Sequence, residues 1–166
     1  MSQADTPGRE DRLDALEQRL RAVEDELAIV RQVAAYGPLV DAGEATRVAD
    51  LWTTAGVYDV EGYFMGDRSA IEAMVQSPEH QGLIGRGGSH FLGPAHVEIS
   101  GDRAVAVCES VLLVRHEGRV LPARIGANRW EFARTDEGWR CTRRVVRALD
   151  GSAEARALLA RTHVED

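Results

Sequence analysis

A chain of 166 residues can bury one sizeable core, and 44% hydrophobic with 28% charged residues is the balance of an ordinary soluble globular domain. A net charge of −7 without a long basic run argues against nucleic acid as the main partner, because phosphate binding needs a positive face. All twenty basic residues are arginine, which excludes a Schiff-base or phosphate-loop lysine.

Residues 1–10 are polar and read as a disordered tail. They do not resemble a signal peptide, and no segment approaches a membrane span. The expected location is therefore the cytoplasm, with no membrane partner. Residues 11–27 read as a helical extension and residues 28–166 as the domain. Leu13, Leu16, Leu20, Val23, Leu27, Val30 and Ala34 recur at alternating spacings of three and four, an a/d heptad seam. Such a seam packs either on its own domain or between subunits. Left exposed, it favours self-association, and a homotrimer or homodimer is expected.

Gly37 and Pro38 should kink this helix or end it briefly. A short helix follows in "ATRVADLW", with Val48, Leu51 and Trp52 inward. "GVYDVEG" alternates as a short strand. Ser69 followed by Glu72 is a capping box and predicts a third helix. Residues 90–99, 103–115, 119–134 and 138–148 are apolar or β-branched runs separated by the hairpin turns "SGDR", "HEGR" and "TDEG". They predict a four-stranded antiparallel meander, closed by a final helix in "SAEARALLART". The predicted class is α+β: a cone-shaped, curved antiparallel sheet packed with the N-terminal helices on one side, with an extended N-terminal helix.

The polar residues offer several chemistries. Two of the five histidines, His90 and His96, flank the loop "FLGP". His96 and Glu98 share one face of a strand, but a three-ligand site needs more histidines in hairpin spacing than the chain has, so no metal is expected. His96 then reads as a sheet-surface residue. Glu109, in an apolar strand, is expected to pair with Arg129 or Arg143. Cys108 and Cys141 lie in apolar runs outside any C-x-x-C and read as buried reduced thiols. His80 and His163 read as solvated, and Trp52, Trp130 and Trp139 as core.

Three stretches carry a resemblance. "RQVAAYGPLVDAGEATRVADLWTTAGVYDVEG" resembles the opening of SnoaL-like proteins of the nuclear transport factor 2-like superfamily. "SHFLGPAHVEISGDRAVA" and "NRWEFARTDEGWRCTRR" resemble the family's later strands and closing hairpin. The resemblance spans roughly residues 28 to 150. It implies a fold that hosts dehydratases, dehydrochlorinases, isomerases and polyketide cyclases as well as non-catalytic adaptors. In the dehydratase-like branch, an aspartate ends the first helix and a histidine opens a long strand. Asp41 and His90 stand at those places. The resemblance makes His90 the proton acceptor and Asp41 the group that orients its ring. It makes Tyr36, Tyr58, Arg144, Asn128 and His116 candidates for substrate binding. It implies a cofactor-independent lyase, isomerase or cyclase acting on a hydrophobic, cyclic small molecule. The alternative it leaves is a ligand-binding or assembly module without chemistry.

Overall fold

The computed structural model describes residues 8–164. Most of the segment read as a disordered tail, residues 1–7, lies outside these. Helix α1 runs from Arg9 to Asp41 without a break. It is followed by α2 (Ala45–Ala49), β1 (Trp52–Val60), β2 (Tyr63–Met65), α3 (Arg68–Gln76) and α4 (Pro78–Arg86). Then come β3 (Gly88–Leu92), β4 (His96–Ser100), β5 (Arg103–His116), β6 (Arg119–Thr135), β7 (Gly138–Ala148) and α5 (Ala153–Ala160). Among the described residues no helix is long and apolar enough to cross a membrane.

The predicted α+β architecture is the one observed: a long N-terminal helix against a curved sheet in the order β2-β1-β7-β6-β5-β3, with β4 also on β5. The meander β5-β6-β7 is antiparallel throughout, but β1 joins β7 in parallel. Register shifts at Leu112/Leu113 and Glu131/Phe132 mark bulges, which bend the long strands. The run 90–99 is two strands and not one. Gly93, Pro94 and Ala95 interrupt it, and β3 and β4 pair separately with successive parts of β5. Proline has no amide hydrogen for the ladder, which accounts for the break.

Helices α1 to α3 cover one face of the sheet, and their apolar residues form a single cluster with Trp52, Tyr58, Trp130, Phe132 and Trp139. The helices do not all lie on that side. Helix α5 buries Ala155 and Leu158 against Ala127 and Val145, which alternate with inward-facing Asn128, Arg144 and Val146. It therefore covers the opposite face.

Helix α1 buries a different stripe from the heptad seam. Ile29, Val33, Tyr36, Gly37 and Val40 face the core, whereas Leu13, Leu16, Leu20, Val23 and Leu27 are exposed. A bidentate pair from Arg134 to Asp25, at 2.8 and 2.6 Å, ties the helix to β6. The Trp139 indole N–H donates to the same carboxylate at 2.9 Å.

Candidate active site

Helix α1 crosses β3 where Gly37 meets the His90 backbone. A Cβ at residue 37 would sit inside the van der Waals shell of the His90 carbonyl oxygen. Glycine here permits a close helix–strand contact that no other residue allows. Pro38 lies on the exposed side of α1, and the helix continues through it. The helix does not end here: packing on either side, by Tyr36 and Val40, offsets the one amide hydrogen bond that proline removes.

Asp41 follows one turn after Gly37, which places its carboxylate over β3. Its Oδ1 lies 2.6 Å from His90 Nδ1, and its Oδ2 accepts from the His90 backbone N–H at 2.8 Å. One carboxylate thus fixes both the ring and the main chain of the histidine. A carboxylate beside Nδ1 selects the tautomer with the proton on Nδ1. No hydrogen bond among the described residues engages Nε2. His90 is held below the ordinary imidazole value, first by burial; Asp41 acts to raise it, and the nearby Arg144 and His80 act in the same direction as burial.

His90 opens onto a cavity of about 310 Å³ between the sheet and helices α1, α3 and α4, at the small end of ligand sites. Its walls are mostly apolar, including Val60, Met65, Met74, Leu83, Leu92 and Val146. Tyr36, Tyr58, His80, His90 and Ser110 also line it, with the charged residues Glu79, Arg124 and Arg144.

Register explains the Arg144 wall. Across β1, β7 and β6, Tyr58, Arg144 and Trp130 are direct neighbours on one face. The Arg144 guanidinium lies 4.0 Å from the ring centre of Tyr36, 4.1 Å from Trp130 and 4.7 Å from Tyr58. These are cation–π distances. Only 3% of Arg144 is exposed, and among the described residues no carboxylate pairs with it. Its Nε and Nη2 donate to Asn128 Oδ1 at 3.2 and 2.8 Å, while Nη1 has no partner. Arg144 is thus a buried cation in the cavity wall with no carboxylate partner among the described residues.

The other candidates divide. Tyr36 is at the centre of the aromatic cluster, edge-on to Trp52, Tyr58, His90 and Trp130. Burial first, and then neighbouring Tyr58, raise its phenol well above the ordinary tyrosine value, so it remains a donor. Tyr58 lines the cavity beside it. Asn128 is fully buried behind Arg144 and outside the cavity wall. Its amide donates to Ser110 Oγ at 2.8 Å and to the Gly126 carbonyl at 3.3 Å. It therefore holds the Arg144 guanidinium from behind the cavity wall.

His116 is a correction. It is exposed at the β5–β6 turn, 3.9 Å from Glu117. The cavity reaches along β5 only to Leu112, and four further residues of strand carry His116 roughly 13 Å beyond it. Glu109 is another correction: it is exposed, Arg129 contacts Glu131, and Arg143 lies 3.7 Å from Asp59. His163 is exposed, as expected, and its Nδ1 lies 2.7 Å from Glu98. Among the described residues no group of three or more His, Cys, Asp or Glu side chains converges on a metal position. Cys108 and Cys141 are buried free thiols, each raised above the usual thiol value by burial.

His80 was missed by the sequence reading. It is buried, its Nε2 lies 2.9 Å from the Val40 carbonyl, and its ring is 5.9 Å from that of His90. A carbonyl only accepts, so His80 carries its proton on Nε2. The sequence held the signal in Ser77-Pro78-Glu79, a helix cap followed by proline in the first turn. Ser77 Oγ accepts from the His80 backbone N–H at 3.2 Å and opens α4, which turns His80 inward.

The family model for the SnoaL-like domain matches residues 21–145. The chain belongs to the SnoaL-like family. An NTF2-like protein with a cystatin-like fold from Novosphingobium aromaticivorans is 45% identical. The match covers 92% of this chain and 99% of that one, with a TM-score of 0.88. Aln2 from a Streptomyces species is 20% identical over 80% of this chain and 96% of its own, with a TM-score of 0.66. A Catenulispora acidiphila protein in complex with S-DNPA is 18% identical over 77% of this chain and 94% of its own, with a TM-score of 0.61. No curated protein matches the chain significantly. The last two likenesses establish the fold alone.

Proposed function

We propose that this SnoaL-like protein is a lyase or isomerase that removes a proton from a carbon next to a carbonyl in a hydrophobic, cyclic small molecule. The observation that carries the reading is the arrangement of His90. Its Nδ1 is tethered to Asp41 at 2.6 Å, and its ring lines a cavity whose wall also includes the buried cation Arg144. One wall offers a base and another an oxyanion partner.

The chemistry follows from these two groups. Neutral His90 takes the proton on Nε2, and the C–H electron pair moves into the adjacent carbonyl, giving an enolate. The positive charge of Arg144 in the cavity wall stabilises the negative charge that develops on the enolate oxygen. Asp41 stabilises the imidazolium that forms. The enolate then either expels a group from the next carbon or receives the proton back at another carbon. Expulsion makes a lyase, return makes an isomerase, and attack of the enolate carbon on a second carbonyl carbon of the same molecule, whose oxygen then takes up the proton, makes a cyclase. Apolar walls limit water around the intermediate. The S-DNPA complex of the Catenulispora protein lends support to a small-molecule occupant in this fold.

The experiment is to screen cyclic ketones and hydroxyketones for thermal stabilisation, then to follow turnover of those that bind. His90→Ala should lower the rate by at least about 10²-fold, the scale of a positioned general base. Binding of several such ligands with no turnover of any would leave a ligand-binding module. Full turnover by His90→Ala would reject the proposed base.

A further inference from the structure

We infer that the exposed half of α1 pairs with a second copy of this chain as a parallel, in-register coiled coil whose orientation is written in its charges. The first observation is exposure. Leu16, Leu20 and Val23 are 56, 58 and 62% exposed, and Leu13 and Leu27 complete the same stripe. Five large apolar side chains in one line on a helix present a seam and not scattered surface residues.

The second observation is direction. The domain holds α1 by Asp25, Ile29, Val33, Tyr36 and Val40. At 3.6 residues per turn the seam lies roughly 140° around the helix from that face. A neighbouring helix therefore reaches the seam from the side away from its partner's domain. Asp25 itself occupies the position opposite the seam, so the clamp to Arg134 and Trp139 leaves the seam free.

The third observation selects the occupant. With Leu13, Leu20 and Leu27 at position a and Leu16, Val23 and Val30 at d, Arg12, Arg19 and Glu26 fall at g, and Glu17, Glu24 and Arg31 fall at e. In a parallel coil each g residue faces the e residue five positions on in the second copy. The three pairs are Arg12–Glu17, Arg19–Glu24 and Glu26–Arg31, all of opposite sign. An antiparallel coil with full overlap sets Glu17 against Glu24 instead. The reversal of sign in the third pair, with glutamate now at g, keeps the match only when the copies are parallel and in register. This complementarity is to the chain itself, and it identifies a second copy as the partner.

The test uses the full chain. Leu13→Cys should form a disulfide with itself on air oxidation, because only a parallel, in-register pair brings two copies of residue 13 together. The native thiols are buried and do not compete. Arg12→Glu/Arg19→Glu and Glu17→Arg/Glu24→Arg should each weaken association at least about 10-fold. Their equimolar mixture should restore it, with one chain of each kind per pair. Light scattering should give two chain masses for the unaltered protein. A monomer at micromolar concentration overturns the inference. So does Leu13→Cys that links only to Leu27→Cys, or charge-reversed variants that assemble like the parent.

Discussion

Gly37 and His90 are in backbone contact: the His90 carbonyl oxygen occupies the space that a Cβ at residue 37 would need. This contact sets the spacing between α1 and β3, and Asp41 stands one turn further along the helix. Gly37→Ala should therefore lower activity, although alanine is the better helix former by about 1 kcal/mol. The helix must move off β3, which destabilises the fold by about 1–3 kcal/mol, as overpacking does. Thermal melting and turnover check this together. A variant more stable than the parent and equally active would mean that the contact has no bearing on the dyad.

The pH dependence has a definite sign. Burial places the His90 pKa below the ordinary 6.5, so the neutral base is the populated form at neutral pH and is lost only as pH falls. The acid limb of kcat/KM should lie below pH 6.5. Asp41→Asn removes the two interactions that raise the His90 value. It should lower kcat and move the acid limb to still lower pH. A limb that moves upward in this variant would contradict the assignment.

Arg144 separates stability from activity. It is a buried cation held by Asn128 and three aromatic rings, without a carboxylate. Arg144→Met keeps the length and removes the desolvated charge, so stability should hold or rise. Turnover should fall by about 10²–10³-fold, the scale for losing an oxyanion donor. Asn128→Ala should give a smaller loss, expressed in kcat, because it frees the guanidinium to shift without removing it. Steady-state kinetics and melting temperatures on the same samples distinguish the two.

The acid stability of the fold should depend on two aspartates. Arg147 lowers the Asp59 pKa, and Arg134 lowers that of Asp25, from the ordinary 3.8. For carboxylates with depressed values the stabilisation is complete above 3.8 and is lost as pH falls through the folded values. Asp59→Asn should lower stability at pH 7 and make the unfolding free energy less sensitive to pH below about 4. Denaturant titrations at pH 7 and pH 3 measure this. An unchanged pH slope would show that the Arg147 pair contributes nothing to acid unfolding.

Much of the fold was legible because its cues are local. The turns "HEGR" and "TDEG" carry glycines at positive φ, and the runs between them became β5, β6 and β7. Asp41 and His90 lie 49 positions apart, and only the resemblance to SnoaL-like proteins joined them. What the sequence reading missed depends on tertiary contact. Gly37-Pro38 looked like a place where the helix could end, because propensity sees the missing amide but not the strand against Gly37; the helix continues through it. His80 looked solvated because its loop-like neighbours are in fact a capped first turn. His116 looked close to a pocket position, yet it lies beyond the cavity along β5. The seam on α1 was legible as a pattern, but the stripe that packs on the domain, through Ile29, Val33, Tyr36 and Val40, was hidden beside it.

Deuterium wash-in tests the central claim most directly. A cyclic ketone that binds the cavity, incubated with the protein in heavy water, should exchange the hydrogen on the carbon next to its carbonyl, read by proton NMR. The unaltered protein should accelerate that exchange well above the buffer rate, and His90→Ala should reduce the acceleration by at least about 10²-fold. Exchange at the buffer rate with the ligand bound, or undiminished exchange in His90→Ala, would contradict the account.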